Sequence, residues 1–265
     1  MTEPDRERLR TTFGEDAERY DRRRPGYPPE LFDDLAALVP AGPRSRVLEI
    51  GCGTGQATLP LARLGYTIVA VELSADLATI ARRNLAGFDN VEVIVSAFED
   101  WPLPDAPFDL VLSATAFHWL DPRVRMAKTA DTLRHDGVAA IISTDHIAGG
   151  TESFFTDAQT CYERYDPSTP PGLRLRHAAG IPTDTTEFDQ SKRFGPVRFR
   201  RYEWDQTYTS DEYIDLLLTY SGHRALPPAA QHGLLTGIAT LINNGHAGKI
   251  TKRYLTQLAT THRTH

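Results

Sequence analysis

Four short apolar runs constrain this chain more than any other feature. Arg46-Val-Leu-Glu-Ile50, Thr67-Ile-Val-Ala-Val71, Phe108-Asp-Leu-Val-Leu-Ser113 and Gly137–Ser143 are rich in β-branched and aliphatic residues. They do not alternate cleanly between apolar and polar residues, so they read as strands buried on both faces. Helical patterns separate them. Residues 29–39 put Leu31, Phe32, Leu35, Leu38 and Val39 on one helical face, with Pro29 near the start and Pro40-Ala-Gly-Pro43 as the stop. Gln56–Leu64 forms the next helix, capped by Gly65. Ser74 is a natural N-cap for a helix through Asn84, and Pro122–Leu133 supplies a further helix. Val91–Val95 adds another strand. This order predicts an α/β fold: a doubly wound, seven-stranded, mostly parallel sheet with helices on both faces.

After residue 144 the pattern loosens. Residues 145–195, with prolines, glycines and scattered aromatics (Phe154, Phe155, Tyr162, Tyr165), read as an inserted cap. Val197–Trp204 alternates with period two and reads as a strand with one wet face. Helices are expected from Ser210 to about Tyr220 and from Pro228 to about Asn243, and Lys249–Thr260 reads as a last strand. The expected organisation is an N-terminal helical segment (1–40), a cofactor-binding core (41–144), the cap (145–195) and a C-terminal part completing the sheet (196–265).

Composition narrows the partners. The 265 residues suffice for one large domain or a domain with a cap. A net charge of -6 disfavours a broad nucleic-acid footprint. No apolar run approaches the roughly 20 residues that cross a bilayer, and the charged N-terminus carries no secretory h-region. The two cysteines, Cys52 and Cys161, form neither a disulfide framework nor a zinc site, and no metal is expected. These features fit a cytoplasmic protein, a monomer or homodimer, with a small-molecule substrate and no membrane partner.

Ligands of such sheets sit beyond the carboxyl ends of the strands, where Leu48-Glu-Ile-Gly-Cys-Gly-Thr-Gly-Gln-Ala-Thr-Leu-Pro60 turns from strand to helix. The spacing is E-x-G-x-G-x-G. A dinucleotide turn needs G-x-G-x-x-G, and Gln56 occupies its third glycine slot; a P-loop would need a following Gly-Lys-Ser/Thr. Glu49 at the turn would repel a pyrophosphate and favour a cationic ligand. S-adenosylmethionine carries a sulfonium and an ammonium, and its ribose hydroxyls suit a carboxylate such as Glu72. The glycines let backbone approach that ligand without Cβ collisions.

The chain resembles the class I S-adenosylmethionine-dependent methyltransferases through VLEIGCGTGQATLPLA, VAVELSADLATIARRN and FEDWPLPDAPFDLVLSATAFHW. It is most similar to the trans-aconitate methyltransferase-like small-molecule branch, through Phe13, Ala17, Tyr20-Asp21, Arg24-Pro25 and Tyr27, and through the YLTQLAT ending. The likeness covers nearly the whole chain apart from roughly 145–195. It implies a Rossmann-like methyltransferase fold in which Glu49, Gly51, Gly53, Gly55 and Gln56 line the methionine end of the cofactor. Glu72 would take the ribose hydroxyls, Leu73 would lie against the adenine, and Ala114 would face the methionine part. Family members often carry an acid where Ala97 stands, so that hydrogen bond to the adenine is missing; the backbone of Phe98 is the remaining ring contact and Glu99 a substitute acid. Tyr20 and Arg24 would lie on a helix folded over the cofactor, and Tyr27 would border the acceptor pocket.

Plainer roles compete at each position. Glu49 could be a strand-end acid paired with a neighbouring arginine, and Glu72 a surface acid. Cys52 reads as a small filler, since no base accompanies it. Arg22-Arg23-Arg24 reads as a solvated charge run or an RNA-touching arm. His118 is the one reasoned general-base candidate, against a structural role, and Trp119 divides between packing and acceptor stacking. The expected activity is methyl transfer to a small-molecule carboxylate, hydroxyl or amine. Methylation of RNA or protein, a cofactor-sensing module without activity, and a nicotinamide-dependent oxidoreductase on the same type of sheet remain as rivals.

Overall fold

A computed structural model describes residues 3–264 of the chain. Seven strands run in the order β3-β2-β1-β4-β5-β7-β6. They are β1 (Arg46–Ile50), β2 (Thr67–Glu72), β3 (Val91–Val95), β4 (Phe108–Ala114), β5 (Leu133–Ile147), β6 (Arg198–Thr209) and β7 (Lys249–His262). Strands β1 to β5 pair in parallel. β7 reverses: Asp136 donates to the Arg263 carbonyl, whereas Thr151 donates to the Thr251 carbonyl, so one number rises as the other falls. The same test, Gly195 to His262 and Ser210 to Gly248, makes β6 antiparallel to β7. The doubly wound, mostly parallel sheet expected from the sequence is therefore present, with one reversed strand near its end.

The chain divides into two compact units. The second unit, Pro25–Thr144, Thr183–Tyr202 and Thr256–His265, holds the strand ends that concern function. Its strands are apolar on both sides for a visible reason. Val47 packs with Leu31, Phe32 and Leu35 of helix Pro29–Leu38, whereas Leu48 and Ile50 join Val111, Ala139 and Phe117 in a separate cluster. β4 and β5 split likewise: Leu110, Leu112, Val138 and Ala140 on one side, Val111 and Ala139 on the other. The strand period of two thus feeds two cores at once, and a polar residue on either face would be buried. Ser74 caps helix Ala75–Asn84, its hydroxyl accepting from Leu77 N–H at 3.3 Å.

The first unit, Met1–Arg24, Asp145–Pro182 and Glu203–Leu255, is built on helices Glu152–Tyr165, Ser210–Leu217 and Pro228–Gly245. Phe154, Leu216, Leu234 and Ile238 are wholly buried in its core. Gly233 and Gly237, one helical turn apart, let helix Pro228–Gly245 approach its neighbour. A Cβ on Gly233 would stand 2.4 Å from the Tyr165 ring, and one on Gly237 2.9 Å from Cys161 Sγ. Thr209 and Glu212 form a capping box at the start of Ser210–Leu217.

Several boundaries differ from expectation. Helix Pro122–Leu133 is trimmed to Arg125–Thr132, because Leu133 already pairs with Phe108 and opens β5. Two strands are longer than their patterns suggested: β5 starts before Gly137, and β6 continues to Thr209. The stretch 145–195 holds a regular 14-residue helix, Glu152–Tyr165, and its residues beyond Pro182 group with the second unit.

Candidate functional site

The glycine turn follows β1 in the second unit. Gly51, Gly53 and Gly55 all have positive φ, at +71°, +59° and +97°. This is the left-handed region that side chains rarely enter. Gly51 needs its missing Cβ for space as well, since one would stand 2.5 Å from Ala116 Cβ. The turn is closed by Gly55 N–H donating to the Cys52 carbonyl at 2.9 Å. It is braced from three sides: Gly51 donates to the Val71 carbonyl, Asn84 Nδ2 to the Thr54 carbonyl, and Ser113 Oγ to the Ile50 carbonyl. Gln56 turns its amide to Thr54 Oγ1 at 2.6 Å.

Two acids sit at this turn. Glu72 ends β2 and its two oxygens accept from Gly53 N–H and Ser74 N–H, each at 2.9 Å. It thereby holds the middle of the glycine turn against the start of the next helix. A carboxylate has about four lone-pair positions, so these bonds leave acceptor capacity for a ligand hydroxyl. Burial raises its pKa, and the backbone N–H groups of Ser74, Gly53 and Leu73 offset part of that rise.

Glu49 is the more telling acid. It is 1% exposed, and its Oε2 has no hydrogen-bond partner among the described residues. Burial pushes its carboxyl up to about 8; the nearby Thr58 hydroxyl offsets part of the rise, and the Glu72 charge adds to it. An arginine partner, the plainer reading, is not found for it. A buried carboxyl lacking a partner is costly unless a ligand supplies one. Cys52, between the glycines, is buried and its thiol is held well above its usual pKa by that burial, so it fills space and is no nucleophile.

The other expected residues fall around the same strand ends. Leu73 follows Glu72 and is 36% exposed, an apolar side chain at the mouth of the sheet. Phe98 is buried, and the Ala97 carbonyl accepts from the N–H groups of Asp100 and Trp101, closing the turn after β3. Glu99 Oε1 accepts from Asp121 N–H at 2.9 Å, so this acid ties two loops together. Ala114 is the last residue of β4 and is buried. Tyr27 hydrogen-bonds Thr115 Oγ1 at 3.0 Å, and Thr115 itself has φ +53°, an uncommon conformation for a threonine. His118 is exposed on the single turn Phe117–Trp119, its ring 4.9 Å from that of Trp119.

Tyr20 and Arg24 belong to the first unit. There the Arg24 guanidinium lies 5.0 Å from the Tyr20 ring centre and 4.5 Å from that of Tyr220, and it donates to the Thr219 carbonyl. Arg23 pairs with Glu212 and Asp215. The run Arg22-Arg23-Arg24 is thus largely committed to its own unit and is no free basic arm. Sequence reasoning did not find the braces Asn84, Ser113 and Thr115. Their partners lie 30 to 88 positions away, and no local pattern marks them.

Residues 47–137 match the family model of a methyltransferase domain. Over this stretch the chain is similar to methyltransferase domains. It contains both acids, all three glycines and the strand ends described above. An uncharacterized methyltransferase of Mycobacterium tuberculosis is 36% identical over 131 residues, 49% of this chain and 51% of its own length. The chain therefore spans about half the length of the Mycobacterium relatives it matches. An uncharacterized methyltransferase-like protein of Schizosaccharomyces pombe is 25% identical over 217 residues, covering 82% of this chain and 80% of that protein. Among solved structures, a candidate type II methyltransferase from Anaeromyxobacter dehalogenans superposes with a TM-score of 0.62 at 23% identity, over 91% of this chain and 99% of that one. Its likeness concerns the fold. No helix of the described residues is long and apolar enough to cross a membrane.

Proposed function

We propose that the glycine turn holds S-adenosylmethionine and that the protein transfers its methyl group to a small-molecule acceptor. The observation that carries this reading is Glu49, a buried carboxyl with an unpartnered oxygen, beside a second buried acid at the same turn. Two buried acids at one turn favour a cationic nucleoside, whose charge stabilises their carboxylate forms. The residues fit the cofactor. Glu49 would face its cationic end, Glu72 its ribose, and Leu73 its adenine, with Gly51, Gly53, Gly55, Gln56, Ala97, Phe98 and Ala114 forming the walls.

The bound cofactor supplies an already activated methyl on a sulfonium. The chain then has to hold the acceptor in line and exclude water, which are positioning effects. A carboxylate acceptor needs no base; a hydroxyl or amine does, and His118 would accept its proton. Tyr27 and Trp119 would border the acceptor. The N-terminal signature Phe13–Tyr27 favours the branch that methylates small acids over one that acts on RNA or protein, and the engagement of Arg23 and Arg24 within their own unit supports the same choice. The test is S-adenosylhomocysteine release over a panel of carboxylic acids, phenols and amines. Turnover with one small class is the expected result. Cofactor binding without turnover on any of them would sink the catalytic reading and leave a sensing module.

A further inference from the structure

The first unit contains buried positive charge with no carboxylate partner among the described residues. Lys252, on β7, is 5% exposed. Its Nζ donates to the Tyr220 hydroxyl at 3.3 Å and otherwise faces rings, 5.3 Å from the centre of Tyr220 and 4.9 Å from that of Tyr254. Arg24 lies on the same Tyr220 ring, and its Nε is buried without a hydrogen-bond partner. Among the described residues neither cation forms an ion pair with a carboxylate.

No neighbouring carboxylate compensates it; burial raises the Tyr220 phenol, and the Lys252 and Arg24 charges outweigh that and hold it below its usual pKa. Burial and the Lys252 charge push His146 down to about 2 and His223 down to about 4, so both rings are neutral. His146 Nε2 is buried and lacks a hydrogen-bond partner, although its ring packs 4.4 Å from that of Phe155. His223 Nε2 is matched to the Tyr162 hydroxyl at 3.0 Å, and Tyr208 to Tyr254 at 2.9 Å. Asp166, the acid that acts on His223, is tied to Ser168 and Thr169. Ring faces return only part of what burying an ammonium costs. Tyr220 and His146 are half-buried at the edge of this cluster.

We propose that Lys252, with the Tyr220 hydroxyl and His146 in the same cluster, is a receptor for a small anionic group, carboxylate or phosphate. The ammonium offers two further donors once Tyr220 takes one, and an entering anion removes the uncompensated charge. The receptor stands independently of the methyl-transfer reading.

The experiment titrates sodium succinate and sodium phosphate against the full chain, with and without S-adenosylhomocysteine, at constant ionic strength set with chloride. Heat of binding and melting temperature are recorded. The expected result is saturable binding of at least one of the two anions, weakened about tenfold or more in Lys252→Met and less in Tyr220→Phe. The preferred anion distinguishes a carboxylate site from a phosphate site. Lys252→Met keeps the apolar stem, and its circular dichroism and S-adenosylmethionine affinity check that it is folded. Equal anion affinity in wild type and Lys252→Met, or no saturable binding of either anion, would overturn the receptor. So would a near-ultraviolet phenolate band at neutral pH that Tyr220→Phe removes, because Tyr220 would then neutralise Lys252 internally. Loss of S-adenosylmethionine binding with intact, Lys252-dependent anion binding would refute the proposed function and spare the receptor.

Discussion

Cofactor binding should expel a proton, because Glu49 is held protonated in the empty turn. Its carboxyl is pushed up to about 8. The neutral acid is therefore the resting form at neutral pH, whereas a cationic ligand wants the carboxylate. Binding must lower that pKa and release a proton. Below about pH 7.5 the ligand's own amino group stays charged, so its titration does not intrude. Between about pH 5.5 and pH 7, affinity should then rise about tenfold per pH unit, or about 1.4 kcal/mol per unit. Calorimetry in two buffers of different ionisation heat should record close to one proton released per cofactor bound. Glu49→Gln removes the titrating group: its affinity should be nearly flat over that range and about 10- to 100-fold below wild type at the upper end, the loss of a charge-assisted hydrogen bond.

The same shift has an opposite consequence for the empty protein. A carboxyl whose folded pKa lies above its unfolded value of 4.5 costs stability as pH rises from there toward 8. Empty Glu49→Gln should therefore melt higher than wild type near neutral pH, and the advantage should vanish below about pH 4.5. A wild-type affinity that does not change with pH, with no proton released, would refute the account of Glu49.

Other perturbations follow from the same geometry. Glu72→Ala removes the acceptor for Gly53 and Ser74 N–H, and should cost about 1–3 kcal/mol of stability in chemical denaturation together with a weaker cofactor titration. Gly51→Ala meets both a positive φ and Ala116 Cβ, so a drop of at least about 1–2 kcal/mol is expected by the same assay, and wild-type stability would show that the turn is drawn wrongly. Gly237→Leu pushes against Cys161 and should lower the melting temperature while a cofactor titration of the folded fraction is unchanged. His118→Ala should slow turnover of a phenol or amine at least about tenfold while leaving a carboxylate acceptor unaffected, since only the former needs a base; equal rates on both would return His118 to a structural role.

Much of the sheet was legible because its signal is local. Val47 and Leu48 each find an apolar core, and that double burial is written as an unbroken apolar run. The glycine turn was legible too, since three positive-φ residues in five positions leave few alternatives to glycine. What the sequence hid is what depends on distant partners. Leu133 reads as the end of a helix until its pairing with Phe108 makes it a strand. Glu72 reads as a ligand acid, but its two bonds to Gly53 and Ser74 also make it a brace for the turn. Lys252 reads as one alternating residue of a strand, and nothing nearby in sequence reveals that no carboxylate reaches it. The helix Glu152–Tyr165 went unread because its buried face, with Phe154 and Ala158 inside, is flanked by prolines and glycines that suggested an irregular cap.

The central claim is that two buried acids at a glycine turn select a cationic nucleoside. Titration of S-adenosylmethionine and of NAD into the same preparation at neutral pH tests it directly. The account predicts saturable binding of S-adenosylmethionine, weakened about 10- to 100-fold by Glu49→Gln, and no binding of NAD. Tight binding of NAD, or S-adenosylmethionine affinity indifferent to Glu49, would contradict it.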